Sequence, residues 1–130
     1  MNSRVMAIRG ATTLDMDTPD QVNARVSELL GQIMERNNLT SDDFVSIIFT
    51  ATEDIVSMFP ATAARHMGLD DVPMMCAKEL SISDSKYGLA RCIRLLAHVY
   101  ATVEKQQVHH VYLHRAAALR SFDNHQSRRR

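Results

Sequence analysis

Tryptophan is absent from this chain, and only three Tyr and four Phe occur in its 130 residues. So few aromatics argue against a base-stacking platform for nucleic acid. Net charge is lacking too: fifteen Lys and Arg balance fifteen Asp and Glu, so no overall field draws in nucleic acid or an acidic membrane. The only two cysteines, Cys76 and Cys92, are too far apart for a CxxC or zinc spacing. The four glycines, Gly10, Gly31, Gly68 and Gly88, are isolated, which removes the glycine-rich phosphate loop. No apolar run approaches about 20 residues, and the opening Met1-Asn2-Ser3-Arg4-Val5 lacks a signal-peptide core. These absences predict a cytoplasmic protein with both thiols free, no nucleic acid partner and no membrane.

What is present suits one globular unit. Hydrophobic residues make up 45% and charged residues 23% of the chain, ordinary values for a single domain with one core. A domain over residues 1–120 is expected, followed by a flexible polar and basic tail over 121–130 that ends Ser127-Arg128-Arg129-Arg130.

The apolar run Val5 to Ile8 reads as a first strand, with Arg9-Gly10 as the turn behind it. Thr18-Pro19-Asp20-Gln21 is a helix start, with Thr18 as cap, Pro19 in the first turn and Gln21 completing a capping box. Val22, Val26, Leu29, Leu30 and Ile33 form that helix's buried stripe, and Asn37-Asn38 ends it. Phe44 to Thr50 reads as a covered central strand. A short alanine-rich helix is expected between Phe59 and Gly68, and an edge strand over Asp71 to Cys76, where Pro73 disfavours the interior. Leu89, Ile93, Leu96, Tyr100 and Val103 recur at spacings of three and four. That pattern predicts a helix, with Arg94 roughly 160° from the middle of its apolar stripe. By pattern alone Arg94 is a solvated surface residue. Val108 to Leu113 reads as a last strand. The order β-α-β-α-β-α-β points to an α/β or α+β sheet with helices packed on it; the fold expected is α+β with α/β-type order, a mixed sheet with helices packed on one face.

Chemistry is scarce in this pattern. His110 and His114 would share a strand face beside His109, but no acidic or thiol ligand stands nearby in sequence, so no metal is expected. Cys76 has no local base to activate it and reads as a buried, inert thiol. Glu53 and Asp54 are adjacent and would face opposite ways on a strand, against paired-carboxylate catalysis. Met67 to Met75 is most simply core filler. With no general acid–base or covalent toolkit visible, a binding protein or an enzyme acting by positioning and electrostatics is left.

Ala7-Ile8-Arg9-Gly10-Ala11-Thr12-Thr13 resembles the opening of the small monofunctional chorismate mutases, the AroH class. The likeness continues in register through Thr50-Ala51-Thr52-Glu53-Asp54, Phe59-Pro60-Ala61, Ala64-Arg65, Val72-Pro73-Met74-Met75-Cys76 and Glu79. It closes on Cys92-Ile93-Arg94, His110-Val111-Tyr112-Leu113 and Leu119-Arg120. The resemblance implies a cofactor-free rearrangement of chorismate to prephenate, in aromatic amino-acid biosynthesis. It implies catalytic roles for Arg94, Arg9, Glu79 and Tyr112. Substrate contacts are implied for Phe59, Ala61, Arg65, Met75, Cys76, Leu119 and Arg120. It also implies a homotrimer that forms a pseudo α/β-barrel, with sites in the clefts between neighbours. Three departures stand out: a longer loop at Ser83 to Tyr87, Thr62 where some members carry lysine, and Ser121-Phe122-Asp123 where Pro-Asp-Leu is usual. A non-catalytic dicarboxylate sensor and a Rid-type imine deaminase stay open as alternatives.

Overall fold

In the computed structural model, which describes residues 2–83 and 88–120, the chain forms a five-stranded mixed sheet. The expected tail at 121–130 and residues 84–87 of the longer loop lie outside the described residues. The strands are β1 (Arg4–Thr13), β2 (Phe44–Ala51), β3 (Met74–Lys78), β4 (Cys92–Ala101) and β5 (Val111–Tyr112), in the spatial order β3-β2-β4-β1-β5. Strand β4 is central and antiparallel to both β1 and β2, whereas β3 joins β2 and β5 joins β1 in parallel.

Two helices, α1 (Pro19–Arg36) and α2 (Pro60–His66), supply the packing. The Thr18 side chain accepts from the Gln21 N–H at 3.2 Å. Gln21 Oε1 turns instead to the N–H groups of Asp15 and Met16, so only half of the expected capping box forms. Val22, Val26, Leu29, Leu30 and Ile33 are all fully buried. They meet Met6, Ile8, Ile47, Phe49, Ile93, Leu95, Ala97 and Val99 in one core. Gly10 belongs to this contact: a Cβ there would lie 2.9 Å from Ile33 Cδ1, so α1 approaches the sheet through the missing side chain. Helix α2 ends two residues before Gly68, whose φ of +107° suits glycine.

The structure corrects several expectations. Residues 92–101 are the sheet's central strand, not a helix. Of the residues in that spacing, Leu89 and Val103 lie outside the strand, and Ile93, Leu96 and Tyr100 are split between its two faces. The buried set, Ile93, Leu95, Ala97 and Val99, alternates with period two. Strand β1 runs through Arg9-Gly10 rather than turning there, and the last strand shrinks to Val111–Tyr112. Cys76 is exposed; the buried thiol is Cys92. Met67 and Met74 do pack on the core, but Met75 is 67% exposed. Glu53 and Asp54 sit in the turn after β2, as a polar break following that strand should.

Candidate active site

Alternation on β4 puts Ile93 and Leu95 under the helices, so Arg94 between them projects from the opposite, open face. Register extends this across the sheet. Ala77 pairs with Thr50, Thr50 with Arg94, Arg94 with Ala11, and Ala11 with Tyr112. Directly paired residues share a face. Arg94 and Tyr112 therefore stand in one row with only the methyl of Ala11 between them. Arg9, two residues from Ala11 on β1, projects from the same face.

Glu79 follows β3, where its N–H donates to the Ala51 carbonyl at 2.9 Å. Its carboxylate accepts from the Thr50 hydroxyl at 3.0 Å and lies 2.8 Å from Arg94 Nε. The Arg94 Nε–H is buried but not aligned as a hydrogen bond, so proximity of opposite charges holds this pair. The Glu79 side chain is only 16% accessible and Arg94 38%, so the guanidinium is fixed on one side and reachable on the other. Both line a cleft of about 960 Å³ with Ile48, Leu80, Ile82 and Leu89.

The turn that launches β4 is clamped. Asp54 accepts from the Thr52 hydroxyl at 2.5 Å and from the Arg91 N–H at 2.9 Å. The Thr52 hydroxyl in turn accepts from the Cys92 N–H at 2.9 Å. Arg91 has φ +47°, a conformation that costs energy outside glycine and needs such over-determination. Burial pushes the Cys92 thiol up to about 11, although the Arg94 charge beside it pulls the other way. Cys92 therefore remains a neutral thiol and adds no second anion beside Glu79.

The other anticipated residues fall into separate groups. Arg9, Tyr112 and Arg120 line a smaller cleft of about 320 Å³ with Arg36, His109 and His110. Phe59 and Cys76 line a third, with Lys78 and Glu53. Leu119 is buried against Ala11, Tyr112 and Ala116. Leu89 packs on that cluster and also lines the Arg94 cleft, which links the first two groups. Met75 stands on the open face, paired with Ile48. Arg65 is exposed on the last turn of α2, and Ala61 is 5% exposed within the core. The structure thus brings Arg94 to Glu79, and Arg9 to Tyr112 and Arg120. Phe59 and Cys76 line a cleft that adjoins that of Arg94 through Thr52, Glu53 and Lys78, and Arg65 lines neither. Among the described residues no group of three His, Cys, Asp or Glu is placed to hold a metal. His114 is occupied with Glu28 at 2.8 Å.

Thr50, Thr52 and Asp54 belong to the family likeness but received no role from the sequence. Their signal lay in the polar residues closing an otherwise apolar strand, where a sheet end meets ligand.

The family model for chorismate mutase type I matches residues 5–122. The chain is 41% identical to "Chorismate mutase AroH" of Thermus thermophilus over 117 residues, covering 89% of this chain and 93% of that protein. It is 36% identical to "Chorismate mutase AroH" of Bacillus subtilis (strain 168), again over 117 residues, or 89% and 90% of the two chains. A solved chorismate mutase from Clostridium thermocellum superposes with a TM-score of 0.81 at 43% identity, covering 86% of this chain and 97% of that one. The chain belongs to the chorismate mutase type I family and is an isomerase. That membership disfavours the sensor and the imine deaminase.

Proposed function

We propose that this chorismate mutase converts chorismate to prephenate by holding the substrate compact and stabilising charge with fixed guanidinium groups. The observation that carries this reading is Arg94 on the open face, pinned 2.8 Å from a largely buried Glu79. The reaction is a unimolecular [3,3] shift in which an ether C–O bond breaks as a C–C bond forms. No proton or electron is exchanged with the protein, which agrees with the lack of an acid–base toolkit in the sequence. Negative charge grows on the ether oxygen, and the substrate carries two carboxylates. Arginine suits all three centres, being always charged and rigidly forked. In this reading Arg94 faces the ether oxygen and a carboxylate. Arg9 and Tyr112 grip a carboxylate, and Glu79 both accepts from the ring hydroxyl and fixes Arg94. A donor held in place before the reaction does not have to reorganise as charge develops, and a pocket that selects the folded substrate removes much of the entropic barrier.

The site is read as shared between subunits of a homotrimer, one giving Arg9, Glu79, Arg94 and Tyr112 and its neighbour giving the Phe59–Arg65 segment. Two features support this. Phe59 does not line the Arg94 cleft of its own chain but an adjoining one, reached past Thr52, Glu53 and Lys78. The sheet face opposite the helices exposes Val5, Ile48, Met75 and Tyr100, an apolar patch of the kind subunits cover. No helix among the described residues is long and apolar enough to cross a membrane, and a cytoplasmic biosynthetic role fits.

Mixing purified protein with chorismate and following loss of its diene absorbance tests the activity; an unchanged spectrum would overturn it. Combining Arg94→Ala with Arg65→Ala subunits under exchange tests the sharing. Recovered turnover is the expected outcome, and no recovery would count against shared clefts.

A further inference from the structure

The strand that carries Tyr112 is held by side chains standing in for missing backbone pairs. Strand β5 pairs with β1 only at Gly10↔Val111 and Ala11↔Tyr112, and Leu113 N–H donates to the Ala11 carbonyl at 2.9 Å. Arg9 is two residues back on the same edge of β1, so its N–H also faces β5. In a continued ladder it would meet a peptide carbonyl. It donates instead to His110 Nδ1 at 2.9 Å. The preceding peptide groups are engaged elsewhere: Asn37, at the end of α1, donates from Nδ2 to the His109 carbonyl at 2.9 Å and accepts the His109 N–H at 2.8 Å. A second Nδ2 contact, to the Ile33 carbonyl at 2.9 Å, anchors the same amide to the helix. Asn37 thus acts as a one-residue strand for His109, and the His110 ring replaces a carbonyl for Arg9.

We infer that Asn37 and His110 are positioning residues that set where Arg9 and Tyr112 present their side chains. The inference rests on the proposed carboxylate-gripping role of that pair. It also fixes a protonation state. To accept from a backbone N–H, Nδ1 must keep its lone pair, which places the ring proton on Nε2. Protonating Nδ1 destroys the acceptor and sets two donors against each other. Among the described residues, the titratable and charged groups that line this cleft with His110 are Arg9 from β1, Arg36 from α1, Tyr112 from β5, Arg120 beyond it, and the neighbouring His109. Any acid-side loss traced to His110 must therefore be separated from theirs by substitution.

The test uses the two amides that mimic one imidazole nitrogen each. His110→Asn offers an oxygen near the Nδ1 position, whereas His110→Gln offers one near Nε2. Arg9→Ala and Tyr112→Phe serve as references. A carboxylate grip made equally in ground and transition states appears in KM rather than kcat. The expected result is that His110→Gln and Asn37→Ala raise KM for chorismate about three- to tenfold, the size of one net hydrogen bond, with kcat changed little. His110→Asn should stay near wild type in KM, and the acid-side rise in KM that this contact predicts for the wild type should be missing from it. Should Asn37→Ala fail to fold, the His110 pair decides alone, because a purely structural role would not separate Asn from Gln in KM or in pH profile. Equal KM values for the two His110 variants, or an unaltered acid limb in His110→Asn, would overturn the inference. If Arg9→Ala and Tyr112→Phe themselves left KM unchanged, the fault would lie with the carboxylate-gripping reading.

Discussion

The two faces of the sheet are made by the same strands and obey different rules. Beneath α1 and α2, Ile8, Ile47, Phe49, Ile93 and Val99 are within 1% of complete burial, and their neighbours are other apolar side chains. On the opposite face the alternate residues of the same strands include Arg9, Thr50, Arg94 and the 51%-exposed Tyr100. One face is a close-packed solid in which any lost methylene is felt. The other holds charges whose value lies in orientation, so changes there should alter chemistry while leaving the fold standing.

The largest effect should come from the open face. Arg94→Ala is expected to lower kcat/KM for chorismate by about 10²- to 10³-fold or more, the scale of one lost donor at a developing oxyanion. Circular dichroism should show an intact fold; collapse of the fold would mean that Arg94 serves both faces. Next is the covered face: Leu29→Ala should cost about 2–5 kcal/mol in urea unfolding, with the folded fraction turning over at nearly the normal rate. A smaller loss, about 1–3 kcal/mol, is expected for Gly10→Ala, since its Cβ would press on Ile33 Cδ1 at 2.9 Å. A simultaneous truncation of Ile33 should reverse part of it, and a failure to do so would move the strain elsewhere.

The smallest effect concerns the loop ahead of Phe59. Burial pushes the Asp17 carboxyl up, but the Ser57 hydroxyl and the N–H groups of Val56 and Ser57 outweigh it, leaving it below its ordinary value of 3.8. A carboxyl depressed in the folded state stabilises above the unfolded value and loses that contribution as pH falls through the folded one. The stability gap between wild type and Asp17→Asn should therefore be full above about pH 4 and close below it. A gap that widened on acidification would reverse the assignment.

Much of this was legible from residues alone. Thr18-Pro19 and the stripe from Val22 to Ile33 specify α1 because cap and periodicity agree. The residues quoted for the family likeness spread across β1, β2, α2, β3, β4 and β5. Strand β4 was not legible: apolar Leu96 and Tyr100 on the open face mask the alternation of Ile93, Leu95, Ala97 and Val99, and their spacing imitates a helix. The Arg94–Glu79 contact was hidden for another reason. Register across β3, β2 and β4, which only the sheet reveals, brings these residues together, and the same holds for Thr50 between them. The substitution for Arg9 of a histidine ring in place of a peptide carbonyl leaves no trace in a one-dimensional pattern.

Installing citrulline in place of Arg94 tests the central claim most directly, because it keeps the shape and several donors while deleting the charge. Turnover of chorismate should remain depressed by orders of magnitude in a correctly folded protein; turnover within a few-fold of the arginine enzyme would contradict an electrostatic origin for catalysis.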